Sequence, residues 1–279
     1  MPGMMAPEIS SASSLPLERL AEGFAASFAG YVVPISADVR AFEQRLRTEH
    51  VHLADSLVMM KEGRLVALAL VARRNVTSRV AAMGVVPELR RGGLGRELLR
   101  RVLDEARARG DRSVRLEVIE SNTPAVALYE RMGFQVRRRL VGWEGTPPEQ
   151  AVPLEEIPLV TALEAILRYG EPGLPWQLAP ETVAGLTAPT RAFRLGAAVA
   201  VVTEAGSQEL VLRSLVAGEK RRQGEGSRLL RALAARMSGR WWRVPAIVPE
   251  ELGAGFFAAN GLKRQSLTQL EMVSSSNPS

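Results

Sequence analysis

Residues 83–134, MGVVPELRRGGLGRELLRRVLDEARARGDRSVRLEVIESNTPAVALYERMGF, hold the pattern that decides the fold. Val80 to Val86 is apolar and β-branched enough for a strand, Pro87 ends it, and Arg90, Arg91, Gly92, Gly93, Leu94 and Gly95 then open a helix. Leu94, Leu98, Leu99, Val102, Leu103 and Ala106 recur at helical spacing and make one apolar face. Glu97 with Arg101 and Glu105 with Arg109 are spaced to pair across the exposed side. A second strand is expected at Ser113 to Ile119 and a second helix from Pro124, which gives an alternating α/β order.

The turn before the first helix presents bare amides. Without a Cβ at Gly92, Gly93 or Gly95 the backbone can approach a phosphate closely, and the helix start adds unpaired N–H groups and a favourable dipole. Arg90, Arg91 and Arg96 stand beside them as charged donors. On the glycines alone, the segment reads equally well as plain turn geometry. The G-x-G-x-x-G order of a dinucleotide fold is absent, no acidic residue closes a second short strand about 20 residues on, and there is no Gly-Lys-Ser/Thr ending of a Walker loop.

The wider spacing narrows the choice. Arg90-x-x-Gly93-x-Gly95, preceded by Val85-Val86-Pro87 and followed by Asn122-x-x-Ala125-x-x-Leu128-Tyr129-x-x-x-Gly133-Phe134, resembles the GNAT superfamily of acetyl-CoA-dependent N-acyltransferases. The resemblance implies acetyl-CoA as acyl donor, with its pyrophosphate on the amides of Arg91, Gly92, Gly93, Leu94, Gly95 and Arg96 and with Arg90 alongside. It also implies a pantetheine arm paired like an extra strand with the backbone of Met83, Gly84 and Val85. Asn122 is placed to cap the helix that follows, and in such sites a matching Asn also bonds the cofactor arm.

An amine attacking a thioester must lose a proton and the departing thiolate must gain one, so a base and an acid are needed on either side of the carbonyl. Glu117 and Tyr129 are the candidates. Glu117 matches in position the base of the ribosomal-protein alanine N-acetyltransferases, whose Glu, Asn and Tyr are spaced as Glu117, Asn122 and Tyr129 are here. A carboxylate of ordinary pKa, about 4.3, would act through a water relay or with its pKa raised by burial. A phenol of pKa about 10 stays protonated and can donate to the sulfur. The plainer readings are a strand carboxylate pairing with Arg115, on the same face by alternation, and a core tyrosine on a stripe with Leu128 and Met132. The chain has no cysteine and no Ser-His pair at recognisable spacing, so direct transfer is expected rather than a covalent route.

The remaining chain repeats the pattern. Arg221-Arg222-Gln223-Gly224-Glu225-Gly226 follows an expected strand at Glu209 to Val216 and leads an apolar helix through Leu229, Leu230 and Leu233, and Phe256 to Leu262 echoes Leu128 to Phe134. The expected fold is therefore α/β (α+β): two tandem GNAT lobes, each a mixed central β-sheet flanked by helices. A catalytic lobe over residues 1–145 and a degenerate lobe over 154–279 would be joined by the Pro- and Gly-rich stretch Gly142 to Pro153. Counting back from Phe257 without gaps, Tyr129 becomes Phe257, Asn122 becomes Glu250 and Glu117 becomes Pro245, while Glu225 replaces Leu94 in the presumed phosphate turn. The second lobe is expected to be catalytically silent and to bind CoA weakly or not at all.

Composition fits two small domains: 279 residues, 46% hydrophobic, net charge +6 carried mostly by arginine. The basic residues form no single block, so no nucleic-acid partner is read from them; the clusters Arg137 to Arg139 and Lys220 to Arg222 could suit an acidic acceptor or simply be solvated. No run reaches the roughly 18 apolar residues of a membrane helix and no signal segment is evident, so a cytoplasmic protein without a membrane partner is expected. Met1 to Pro16 and Ser274 to Ser279 read as tails. Leu17 to Ser56 should supply two helices that shape the acceptor pocket, with Tyr31 either lining it or packing in a loop. The His50-x-His52 pair is not expected to hold a metal. Trp241-Trp242 should anchor a strand of the second lobe. The function classes left are an N-acetyltransferase acting on a small-molecule or protein amine, and a non-catalytic acyl-CoA-binding or interaction module.

Overall fold

A computed structural model describes residues 7–32, 35–219 and 223–275. The chain divides into two compact units. The first takes the chain up to Val118, Asn122–Arg137 and the stretch from Glu271; the second takes Ile119–Ser121 and Arg138–Leu270.

The first unit holds β1 (Glu8–Ser11), α1 (Leu17–Ser27), α2 (Val39–Thr48), β2 (Leu57–Lys61), β3 (Arg64–Arg74), β4 (Thr77–Val85), α3 (Leu94–Ala108), β5 (Ser113–Ile119), α4 (Thr123–Arg131) and the start of β6 (Gln135–Gly145). Its strands lie in the order β1-β2-β3-β4-β5, antiparallel until the parallel step from β4 to β5. Leu65 to Ala72 of β3 is buried throughout, the unbroken apolar run of a strand covered on both faces. On α3 the residues Leu98, Leu99, Val102 and Ala106 are buried, and each leucine contributes about 1.5–3 kcal/mol by leaving water. Phe24, Phe28 and Phe42 pack α1 against α2 with ring centroids 5.0 and 5.2 Å apart.

The second unit holds most of β6, then β7 (Glu155–Ile157), α5 (Leu159–Tyr169), α6 (Pro180–Ala184), β8 (Thr190–Leu195), β9 (Ala198–Ala205), β10 (Glu209–Val216), α7 (Glu225–Arg236), β11 (Trp241–Pro249), α8 (Ala254–Ala259) and most of β12 (Lys263–Ser275). The strand order is β12-β6-β11-β10-β9-β8-β7, with β10 and β11 parallel. Phe193, Leu229, Leu230, Leu233, Trp242 and Phe257 form its core, and Trp143 stacks on Phe257 at 5.7 Å. The run β10-α7-β11-α8-β12 repeats β4-α3-β5-α4-β6, as the internal repeat implies.

Several expectations change. The main stretch of the second unit begins at Arg138 rather than after residue 145, because Leu140 to Gly145 of β6 pair antiparallel with Pro249 to Trp242 of β11; the stretch from Glu271 belongs to the first unit. The segment Gly142 to Pro153 thus starts inside a strand. The N-terminal tail reading fails from Glu8 onward: Glu8 to Ser11 pair with Met60 to Leu57 of β2, and Ser11 caps a short 3-10 turn. At the other end β12 runs to Ser275. Met1 to Ala6, Val33 and Pro34, Lys220 to Arg222 and Asn277 to Ser279 lie outside the described residues, as does Ser276. Of the tryptophan pair, only Trp242 is in the core, since strand alternation sends Trp241 to the opposite face, where it is 49% exposed. On α3, Glu97 pairs with Arg100 instead of Arg101, which turns to Glu105; Glu105 also keeps its expected partner Arg109 at 4.0 Å. No helix among the described residues is long and apolar enough to cross a membrane.

The tryptophan pair gives a direct check on the fold. Trp242→Ala should lower the unfolding free energy by about 3–5 kcal/mol, whereas Trp241→Ala should stay within about 0.5 kcal/mol, both read from urea denaturation midpoints.

Candidate active site

Two strands that pair and then part create the site. The parallel ladder runs from Thr77↔Ser113 to Val80↔Leu116, after which β4 continues to Val85 and β5 to Ile119. On its other edge β4 stays paired with β3 as far as Ala67↔Val85, with a register shift between Leu70 and Val71 that bulges β4 at Ala81. The stretch holding Met83, Gly84 and Val85 therefore lies beyond the last β5 pair. Gly84 has a packing reason of its own: a Cβ there would sit 2.8 Å from Ser27 Cβ and 2.9 Å from Phe28 Cε2 of the α1 end.

The glycine turn closes one end. Arg91 and Gly93 both have left-handed backbones, φ 65° and 87°, and Gly93 is the N-cap of α3 with no side chain closing the helix start. The first amides of a 15-residue helix are left without intrahelical partners there, with the positive end of the dipole. A Cβ on Gly95 would meet only ordinary contacts, 3.7 Å from Leu128 Cδ2 and Val85 Cγ2, so no packing demand accounts for this glycine. Arg91 and Arg96 are exposed beside the turn. Arg90 is placed differently from the expectation: its guanidinium donates to the carbonyls of Val85 (3.0 Å), Ser27 (3.2 Å) and Ala29 (2.9 Å), fastening the turn to β4 and to the end of α1. An exposed helix start, a roomy glycine and two exposed arginines fit an anionic pyrophosphate; Leu94 contributes its backbone as the first residue of α3.

Glu117 is the first β5 residue past the paired register. Its partner is Arg79 of β4, not Arg115: Arg79 Nε and Nη2 donate to Glu117 Oε2 at 2.7 and 2.6 Å. Parallel register sets Arg79 beside Arg115, and Glu117 comes two residues later on the same side. Arg79 is also bonded to Glu49 at 2.5 Å, and both carboxylate side chains are largely buried with it. Burial opposes charging Arg79, but Glu117 and Glu49 outweigh it and hold its pKa above the ordinary value. For Glu49 burial again works against the charge, and Arg45 and Arg79 prevail, leaving its carboxyl below the usual 4.5.

Tyr129 is buried on α4, edge-on to Phe134 at 5.8 Å. Burial, with the nearby Tyr31 adding to it, pushes the phenol well above its ordinary 10.0, so it remains protonated across neutral pH. Tyr31 is likewise raised by burial, partly offset by a side-chain hydrogen bond with Asn122. Asn122 is the N-cap residue of α4 but makes no side-chain cap, so the capping role the sequence suggests is not taken; its amide is instead near enough to Tyr31 to lower that phenol's pKa. Tyr31, Asn122 and Tyr129 are thereby gathered at one place. The sequence missed Arg79 and Glu49; the available signal was a lone arginine inside a strand too apolar to be an exposed edge. His50 Nδ1 accepts from Arg74 at 3.4 Å, His52 lies 3.6 Å from Asp55, and no group of three potential metal ligands occurs among the described residues.

In the second unit, Gly224 repeats the left-handed N-cap, φ 81°, before α7, and Glu225 is the first helical residue. A Cβ on Gly226 would lie 3.2 Å from Phe256 Cε2 and 3.3 Å from Leu215 Cδ2, and Phe257 is buried where the repeat aligns Tyr129.

With this geometry in place, similarity to known proteins becomes specific. Residues 19–134 match the acetyltransferase (GNAT) family. This segment is a GNAT domain. It is similar to the ribosomal protein bS18-alanine N-acetyltransferase of Escherichia coli, 37% identical over 76 residues, 27% of this chain and 51% of that protein. The chain thus spans about half the length of that curated relative. Solved structures resemble the whole chain: a GCN5-related N-acetyltransferase from Sphaerobacter thermophilus (TM-score 0.69, 16% identical, 100% of this chain and 98% of that one) is one. A tandem GNAT protein from the clavulanic acid biosynthesis pathway is another (TM-score 0.67, 15% identical, 98% and 100%). At these identities the likeness establishes the fold, two tandem GNAT lobes.

The depressed Glu49 carboxyl makes stability depend on pH. A folded-state value below 4.5 contributes stability that is present above that pH and lost as pH falls through the depressed value. Urea midpoints measured between about pH 6 and pH 3 should fall less steeply for Glu49→Gln than for the wild type.

Proposed function

We propose that the first lobe is an acetyl-CoA-dependent N-acetyltransferase that moves an acetyl group directly to an amine of a small molecule or a protein. One observation carries this reading: a phenol held protonated by burial, Tyr129, stands with Asn122 and Tyr31 in the domain whose β4 and β5 part beside an open helix start. A module that only binds an acyl-CoA has no need of a proton donor there.

The amides of Arg91, Gly92, Gly93, Leu94, Gly95 and Arg96 would hold the pyrophosphate, with the Arg91 and Arg96 guanidiniums adding charge. The backbone of Met83, Gly84 and Val85 would take the pantetheine arm, and Asn122 its amides. Acetyl-CoA supplies the thioester. The Tyr129 Oη proton goes to the departing sulfur. The Glu117 carboxylate receives the proton of the amine through a water, which suits a side chain already held by Arg79 on one oxygen. Arg90 keeps the loop in register with β4. The second lobe keeps the glycine turn but has Pro245, Glu250 and Phe257 where the repeat aligns Glu117, Asn122 and Tyr129, so its role is structural and it presents no second reaction centre.

Tyr129→Phe should lower kcat by about 100-fold or more while acetyl-CoA affinity, read by calorimetry, changes little; an unaltered kcat would remove Tyr129 from the proton-donor role. Calorimetric titration of the whole chain with acetyl-CoA should give one site per chain, abolished by Gly93→Val and retained in Gly224→Val. Acceptor-dependent release of CoA across a pool of amines separates catalysis from mere binding.

A further inference from the structure

Four charged side chains run in a line from the half-buried Arg45 into the interior of the first unit. Arg45 of α2 bonds Glu49 at 3.0 Å, Glu49 bonds Arg79 at 2.5 Å, and Arg79 bonds Glu117 at 2.6 Å. At its other end Arg45 donates through Nη2 to the carbonyl of Ala81 at 3.1 Å. Ala81 is where β4 bulges, and Glu117 is where β5 leaves the ladder. The line therefore ties one helix to both arms of the strand opening. Arg79 is 2% exposed, a guanidinium that the fold has desolvated only because carboxylates meet it on two sides. Around Glu117 the charged groups are Arg79 from β4, Arg45 from α2, Glu49 at the end of that helix, and Arg115, which shares its face on β5 by alternation.

Two carboxylates sharing one guanidinium compete for it. Arg79 grips Glu117 through Nε and Nη2 and points it, while Glu49 takes the remaining Nη1 and brings a like charge close by. We propose that Arg79 and Glu49 are positioning residues that fix the Glu117 carboxylate at the opening and set, in opposite senses, how readily it takes a proton. This rests on the reading of Glu117 as the base. Helix α2, expected to border the acceptor, is through Glu49 a direct electrostatic neighbour of the proposed base.

The test is a pair of substitutions read two ways. In Arg79→Gln the acidic limb of the kcat/KM pH profile should move up by about one unit or more, and in Glu49→Gln it should move down. The same opposed movements should appear in the titration of the Glu117 carboxyl by NMR of the free, glutamate-labelled protein, assigned by difference from Glu117→Gln. Arg79→Lys, which keeps the charge and loses the fork, should fall between Arg79→Gln and the wild type. A merely structural role would lower activity or stability with the limb and the carboxyl titration unmoved, and that result, or movement of both in one direction, overturns the proposal. If Arg79→Gln does not fold, the downward movement in Glu49→Gln decides alone. Full turnover by Glu117→Gln would instead sink the assignment of the base, and the carboxyl titrations would still report whether Arg79 and Glu49 govern that side chain.

Discussion

The first lobe depends on a ladder that stops. β4 and β5 share four register pairs, Thr77 to Val80 against Ser113 to Leu116, and then separate while β3 holds β4 in place along its other edge. A parallel pair that separates leaves backbone polar groups that must find partners elsewhere. The bulge at Ala81 starts the separation, Arg45 takes up the Ala81 carbonyl, and Arg90 takes up that of Val85. Two arginines, one from a helix and one from the glycine turn, thus stabilise the stretch of strand between them from its two ends. Every residue proposed for chemistry is placed relative to this gap.

Much of this was legible in the chain. Apolar runs with clear punctuation gave the strand at Ser113 to Ile119 and the strand at Glu209 to Val216 with the bounds the structure has, because glycine, proline and charge stop a strand sharply. A glycine turn before each of the two helices, at Gly93 and at Gly224, also followed from local composition, and the structure adds that both glycines are left-handed. What escaped was non-local. Arg79 finds Glu49 thirty residues earlier and Glu117 thirty-eight later, and no spacing rule predicts such partners. Asn122 looked like a cap because its position is a cap position, yet its side chain closes no helix amide. The unit boundary was misplaced because a Pro- and Gly-rich stretch looks like a linker, whereas β6 is already committed to β11 before that stretch begins.

The buried charges also show how polar chemistry is kept inside an apolar unit. Arg79 and Glu49 would each be costly alone. Together with Arg45 and Glu117 they sum to zero charge, and each is held by the next through a short, charge-assisted bond. A second group, Arg73, Arg109, Asp55 and Asp111, balances in the same way near the other end of β4, where Ser78 donates to Asp111 at 2.6 Å. The strand that carries the opening is thus pinned by ion clusters on both sides of its paired segment.

The two glycine turns, finally, act as internal controls for one another. Gly93 and Gly224 share the left-handed backbone although their surroundings have diverged, so that glycine reports only what the chain needs in order to turn. The glycine two residues further on, Gly95 in one turn and Gly226 in the other, tells them apart. A Cβ at Gly226 would press on the ring of Phe256, whereas at Gly95 the corresponding Leu128 stands back at ordinary contact distance and leaves room for a methyl group. The same backbone turn thus stands against a tight side-chain wall in one unit and a loose one in the other.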